Sequence, residues 1–557
     1  MNILINVILY TLLKNNKKFT AIFTYLFFAI FLTVGVYTFR DYGISIDEEF
    51  HRLSGFYWLD YALSFTDLEN LKEAVKIKLN DRGFTVPDPK HHPFYGVIFD
   101  IPMALIEVLF NINQSREYFF LRHFANFSIF FIGAIYFFKI LKNRFFNIYV
   151  PILGTLFFVL SPRIYGHSYF NNKDLIFLSL ATIAVYYCFI AIDKINYKNL
   201  LIFSLFSALA TASRLLGLFL PVSFLILFLM EIPRNKLKNL NFIIFFIFFY
   251  FLFLFIFWPV LWENTLISFG SALKYFSQAP LGIKTFFNGN YVDVRHLPIN
   301  YSLFWIIIST PIIYLIFFTH GYAFKFKRVL KRFFSIEQNS SQHDLWRGKN
   351  EKKDFFIFFN LTGFMFYLFF SGVLLYTGWR QSFFLNIFII YFSTYSVYLL
   401  FKINKKKLNY LSALIIISLF INLYQMIIYH PYQNTYFNFI GKNFYKNKFE
   451  ADYWGLSAFK ALNQILEKEK NNNNIIKIGV AAWYPVERSA ALLKEKDQKR
   501  FNFVGQDYDS ADYIFTNFIS EVDKKYNNKY KIPNNFKKIF GFQLQSYDIY
   551  EIYKKIN

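Results

Sequence analysis

The segment Asp41-Tyr42-Gly43-Ile44-Ser45-Ile46-Asp47-Glu48-Glu49-Phe50-His51 places four carboxylates and an imidazole directly after an apolar run. A carboxylate there sits beside lipid head groups. It can deprotonate an acceptor hydroxyl next to a membrane-embedded donor, because a carboxyl with an ordinary pKa near ~4 is ionised at working pH. Taken alone, the segment is more simply a helix start, with Ser45 or Asp47 as cap and acidic residues in the first turn.

A second polar segment, Ser161 to Asp174, carries Arg163, His167, Asn171, Asn172 and Lys173 between two apolar runs. Cations and amides gathered this way are the donor set a phosphate needs, though an ordinary interfacial loop has the same composition. Further cations lie inside or beside apolar runs: Arg122 with His123, Arg214, and Arg380. Ionisable groups at membrane depth are costly and mark functional candidates. Snorkelling to the interface is the plainer account, strongest for Arg380. His91, His92 and Asp88 have metal-ligand chemistry but no further ligand at close spacing, so a turn is preferred and no metal is assigned. No nucleotide-binding or zinc-protease motif and no nucleophile elbow occurs in a fitting context, which argues against a cytoplasmic nucleotide-sugar donor.

The elements that must position these residues are membrane helices. Hydrophobic residues make up 55% of the 557 and charged residues 17%, below the quarter usual in soluble chains. Apolar runs predict spans at 19–39, 118–140, 146–161, 174–192, 200–213, 215–231, 241–260, 301–319, 355–376, 382–401 and 409–429, about eleven in all. The pair 200–213 and 215–231 also fits a re-entrant segment. The first run is too long for a signal-peptide core and reads as an uncleaved span. Alternate loops carry twenty-three basic residues against seven in the short loops on the other side (162–173, 214, 261–300 and 377–381). The richer set includes Lys14, Arg234, Lys402 and the nine between Lys325 and Lys353. The positive-inside rule then puts the N-terminus in the cytoplasm and the tail outside.

Two large extracytoplasmic pieces result. Loop 40–117 contains a helix at Val97–Phe110, expected along the membrane surface. Tail 430–557 alternates a helix at Leu456–Glu469 with strands at Ile475–Ala481 and Tyr513–Phe515, and so reads as a small α/β domain. Asn471–Asn474 is a turn or linker. The net charge of +24 accompanies a chain rich in Phe, Asn and Ile, and its basic residues punctuate spans rather than form a patch, so no nucleic-acid partner is expected. The single cysteine, Cys188, allows no internal disulfide.

Taken in order, these segments resemble the GT-C superfamily of integral-membrane glycosyltransferases, specifically the bacterial family-39-like group related to protein O-mannosyltransferases and lipid A aminoarabinose transferases. The Gly43-to-Glu48 segment with His51 is similar to the family's Asp-Glu motif. Leu121-Arg122-His123 resembles its Arg-His pair. Phe170-Asn171-Asn172-Lys173-Asp174 is the most specific match. Phe287-Asn288-Gly289, Leu297-Pro298, His430 to Asn434 and Asp452 to Gly455 resemble later motifs. Two segments depart from the pattern. Thr377-Gly378-Trp379-Arg380-Gln381 lacks an acid and a His that the family often shows, and Asn172 stands where the family has Pro.

The resemblance implies a polytopic α-helical, GT-C-like membrane domain over 1–429 and an extracytoplasmic α/β domain over 430–557. It implies transfer of a sugar from a polyprenyl-phosphate donor to an envelope glycan, lipid or protein in the bacterial inner membrane, with inversion. Asp47 would be the general base, and Glu48 would position it or the acceptor. Lys173, Arg163, Arg380, Arg122 and His123 would hold the donor phosphate. His51, His92, His167 and Asn171 would contact substrate. No cofactor is required, and metal dependence varies across the superfamily. A lipid-linked-sugar flippase or transporter is the alternative, but internal repeats, common in transporters, are not found.

Overall fold

The computed structural model describes residues 17–80, 84, 86–145, 149–230, 236–278, 283–334, 345–370, 375–401, 405–444, 448–471, 474–520, 528–544 and 547–556. Lys14, Arg234 and Lys402 lie outside the described residues. So do parts of the predicted spans 146–161, 215–231 and 355–376 and of the Asn471–Asn474 turn.

Six helices are long and apolar enough to cross a membrane, the count rising to seven if the bent pair Tyr149–Val159 and Pro162–Phe170 is one span. The six overlap the predicted spans at 19–39, 118–140, 174–192, 241–260, 355–376 and 409–429, and contain those at 118–140 and 174–192 entirely. The remaining predicted spans are shorter or broken, and prolines account for much of this. Pro311 separates the Tyr301–Ser309 helix from Ile312–Phe334 inside the predicted span 301–319. The predicted span 241–260 is itself cut short, since Pro259 follows Trp258, whose φ of −127° and ψ of 87° are not helical, and closes the Lys236–Phe257 helix. A proline lacks an N–H and biases its predecessor away from helix.

Asp174–Asp193 is the central helix, with 83% of its apolar window buried. The helices Ser115–Arg144 and Tyr197–Ser213 flank it. A buried pair joins the far end of the bundle. Arg144 donates to Asp354 at 2.7 Å, and the Tyr391 hydroxyl donates to the same carboxylate at 2.6 Å. Three helices are thereby tied through one anion, a geometry that offsets the desolvation of both charges.

Two expectations are corrected here. The Ser161–Asp174 segment is not a loop. Pro162 takes the first position of the Pro162–Phe170 helix, which bends 64° from its predecessor, and the whole segment is buried. A proline at the first helical position is preorganised for the turn and loses no hydrogen bond. Gly166 lets this helix pass the chain near Asn434, where a Cβ would lie 2.6 Å from the backbone nitrogen. The second correction concerns the predicted surface helix at Val97–Phe110. It forms as Asp100–Leu109 but buries Asp100, Met103, Ala104 and Glu107 against the Glu48–Leu63 helix. Its two acids face inward because buried cations await them there.

The tail forms the expected small α/β unit. Strands β3 (Ile476–Val480), β4 (Phe501–Gly505), β5 (Tyr513–Thr516), β6 (Phe536–Leu544) and β7 (Tyr547–Lys555) make one sheet in the order β4-β3-β5-β7-β6. β3 runs parallel to β4 and β5, while β7 is antiparallel to β5 and β6. The Ser457–Lys468 helix packs on β7, and its first turn donates to Asp452 from the backbone of Leu456 and Ser457. Earlier in the chain, β1 (Lys284–Phe287) and β2 (Asn290–Asp293) form a hairpin. Its two-residue turn is Asn288-Gly289, with φ of 51° and 90°, the left-handed pair such a turn demands.

Candidate active site

A cavity of about 1610 Å³ opens between the bundle, loop 40–117 and the tail. Asp47 lines it. The residue stands at the cap position of the Glu48–Leu63 helix, yet its side chain caps nothing. The carboxylate instead accepts from the Arg380 guanidinium at 3.1 Å, across 333 residues of chain. This removes the simple capping account of Asp47. Ser45 is fixed differently, its N–H donating to Glu48 at 2.6 Å.

Six Lys and Arg side chains line the same cavity: Lys173, Arg214, Lys274, Lys284, Arg380 and Arg488. Lys173, Arg214 and Arg380 each hold a carboxylate. Lys173 meets Asp100 at 2.5 Å and also donates to the Gly96 carbonyl. Arg214 pairs with Asp174. Arg380 pairs with Asp47 and lies 4.0 Å from Asp174. Burial alone would lower the Arg380 guanidinium, but Asp47, Tyr376 and Asp174 hold it above its usual value. These three pairs set opposite charges together on a wall that also carries apolar side chains.

Behind it runs a buried ionic chain. Glu107 accepts from Arg52 and from Arg122, each at 2.8 Å, and Arg122 reaches Asp100 at 3.5 Å. Asp100 also accepts from Asn172 at 2.7 Å. This chain links loop 40–117 to the Ser115–Arg144 helix and to Lys173. Removing one member would leave a buried charge uncompensated, which is strongly destabilising.

The predicted site residues therefore divide. Asp47, His51, His92, Lys173 and Arg380 line the cavity. His92 meets the Tyr275 hydroxyl at 2.8 Å. His51 is buried, and its Nδ1 has no hydrogen-bond partner among the described residues. Burial, then Lys173 and Arg214, push the imidazole well below its usual value, so it is neutral near pH 7. Glu48, Arg122, His123 and Asn171 are not on the cavity wall. Glu48 bonds His123 at 2.9 Å, and Asn171 bonds Asp174 at 2.8 Å. Arg163 and His167 line a separate polar pocket of about 20 Å³, where Arg163 donates to the Tyr436 carbonyl at 3.0 Å. Room for about one water is all that volume gives.

Two lining residues carried no signal in the sequence. Glu450 sits between the large cavity and the small pocket, and accepts from the Phe286 N–H at 3.1 Å. Burial pushes its carboxyl up to about 8. Arg488 donates to the Ile46 carbonyl at 2.7 Å, one residue before Asp47. Among the described residues, no group of three or more His, Cys, Asp or Glu side chains is arranged to hold a metal. Leu218, Phe219, Val222, Trp258 and Leu273 give the cavity apolar lining as well.

Chemically, the arrangement offers a carboxylate beside cations, a route for an apolar chain, and a neutral imidazole. Comparison with protein-family models and with curated proteins gives no match.

Proposed function

We propose that the protein is a membrane glycosyltransferase that takes a sugar from a polyprenyl-phosphate donor and adds it to an envelope acceptor outside the cytoplasm. The observation that carries this reading is the pairing of Asp47 with Arg380 on the wall of a cavity that also holds Lys173 and Arg214. The apolar lining suits a polyprenyl chain, and the cations suit its phosphate.

In the reaction, the acceptor hydroxyl gives its proton to Asp47 while its oxygen attacks the anomeric carbon. The bond from that carbon to the phosphate oxygen breaks, and the electron pair leaves on the lipid phosphate. A single displacement inverts the anomeric centre. The Asp47–Arg380 pair couples the two halves of this step. Once Asp47 takes the proton, its negative charge is gone and Arg380 is left uncompensated. That happens as charge grows on the departing phosphate, which the freed guanidinium can stabilise. Lys173 and Arg214 add to that positive charge.

The same reading places the protein in the bacterial inner membrane as a GT-C-like enzyme with about eleven crossings, N-terminus inside and tail outside. The test is a turnover assay. Purified protein in neutral-lipid nanodiscs receives a polyprenyl-phosphate sugar, and lipid-linked sugars and envelope glycans of a deletion strain are compared by mass spectrometry. Release of polyprenyl phosphate and loss of one glycan in the deletion strain are expected. Unchanged donor and unchanged envelope together refute the proposal.

A further inference from the structure

The tail builds one wall of the cavity. Tyr453 and Trp483 lie there with ring centroids 6.2 Å apart and planes inclined by 30°. Trp483 is 38% exposed, although the residues before and after it in the chain, Ala482 and Tyr484, are buried. Its backbone N–H is fixed on the Ile519 carbonyl at 2.9 Å, so the ring is presented on a pinned loop. Glu450 stands on the same wall. Ser520 borders it, with its N–H held by the Tyr291 hydroxyl at 3.0 Å.

We propose that this wall is the acceptor subsite and that its ligand is a saccharide, whose ring packs on Trp483 and Tyr453 while its hydroxyls bond Glu450. The proposal rests on the transferase reading and names the acceptor class that reading leaves open.

The argument is one of matched chemistry. A pyranose has a flat face of C–H groups and a rim of hydroxyls. It needs an aromatic surface with polar groups at its edge. Rigid aromatic side chains supply contact area at low entropic cost. An acyl chain would offer the buried Glu450 carboxyl no hydrogen bond beyond the one it accepts from Phe286, which is costly. An extended peptide is usually read through main-chain groups of a strand edge, whereas this wall offers aromatic faces and a carboxyl. Because Glu450 is pushed up to about 8, it keeps its proton near neutral pH. A protonated carboxyl both donates and accepts, as a sugar hydroxyl does. Asp47 lines the same cavity, so a hydroxyl of the bound ring has the proposed base within one enclosure.

The test uses the full chain in nanodiscs free of sugar detergents. Maltotetraose and chitotetraose serve as probes, with saturation-transfer NMR and tryptophan fluorescence as readouts, and a Ser/Thr-rich peptide is measured alongside. At least one oligosaccharide should bind through its ring protons. Affinity should drop about 10-fold in Trp483→Ala and stay within about 3-fold in Trp483→Tyr, the difference one stacked ring makes. Glu450→Gln should keep binding and Glu450→Ala should lose it. Polyprenyl-phosphate affinity, measured in the same discs, should be unchanged in all four variants, which shows them folded. No saccharide binding, binding indifferent to Trp483→Ala, or displacement by the peptide overturns the subsite. Donor binding and turnover persisting in that case leave the transferase reading intact. Saccharide binding without any donor binding would sink the transferase reading instead.

Discussion

The Arg488 guanidinium donates to the carbonyl of Ile46 at 2.7 Å, and so the tail domain holds the backbone immediately before Asp47. Tyr484 repeats the contact two residues earlier, donating to the Ile44 carbonyl at 2.9 Å. Gly43 completes the seat, since a Cβ there would lie 2.3 Å from the Leu456 carbonyl oxygen. If Asp47 is the base, Arg488 is a positioning residue. Arg488→Ala should lower kcat about 10- to 100-fold, the penalty of a misplaced reacting group. Donor affinity should hold, and Arg488→Lys should recover part of the rate. Steady-state kinetics alongside donor titration measures this. Equal losses in kcat and donor affinity would point to a general structural fault.

Asp47→Asn keeps size and removes basicity. The variant should fold and bind donor, and its turnover should fall by about 10²-fold or more, the usual worth of a general base. Glu48 lies off the cavity, bonded to His123 and to the Ser45 N–H. Glu48→Gln should therefore act through stability more than through the chemical step. A melting curve and a single-turnover rate on each variant separate the two. Near-normal turnover in Asp47→Asn ends the assignment.

Lys173 is held by Asp100 and the Gly96 carbonyl. A phosphate must compete with that pair. A charge-assisted hydrogen bond contributes about 1.5–3 kcal/mol, so Lys173→Ala should weaken donor binding by roughly one to two powers of ten. Lys173→Arg should be partly tolerated. Titration in neutral-lipid nanodiscs gives the answer, and unchanged affinity would move the phosphate toward Arg214 and Arg380.

Glu450 predicts a pH dependence. Its carboxyl titrates near 4.5 ordinarily and is pushed up to about 8 in the fold by burial. The folded state binds the proton more tightly, so this contribution to stability is complete below about 4.5. It is lost as pH rises to about 8 and is constant above that. Asp452, raised to about 6 by burial, acts with the same sign over a narrower window. Glu450→Gln has no proton to lose. Its melting temperature relative to the native chain should climb between pH 5 and pH 8. A difference flat across that range would contradict the assignment.

Topology is tested by reporter fusions after Lys353 and after Asn557. They should report opposite sides of the membrane. The same side for both would overturn the orientation and the outer placement of Asp47.

Much of the site was legible because its residues stand at the ends of apolar runs. Asp47 follows the first, Lys173 precedes the central one, and Arg380 precedes another. The partnerships were not legible. Asp47 and Arg380 meet across 333 positions, and Arg488 meets Ile46 across 442. Nothing local encodes either contact. Asp100 and Glu107 misled for a related reason. Acids on a semi-apolar helix suggest a polar face toward water, and only the packed bundle reveals Arg52, Arg122 and Lys173 waiting for them. The tail sheet was readable in part, since β3 and β5 are short apolar runs. β6 and β7 mix Lys, Glu and Tyr, and their pattern resembles that of a loop.

The contact between Arg488 and Ile46 also orders events in time. A ribosome adding roughly 5–20 residues per second needs on the order of 20–90 s to synthesise the 442 residues separating the two partners. Through that interval the Asp47 segment has left the ribosome, but its seat does not yet exist. A chain cut short before Arg488 would carry Asp47 with Lys173, Arg214 and Arg380, yet lack the contact that seats the Asp47 segment. Under the proposed transferase reading, synthesis of the last domain works as a completeness check, because the Asp47 segment gains its seat only once translation has run past Arg488.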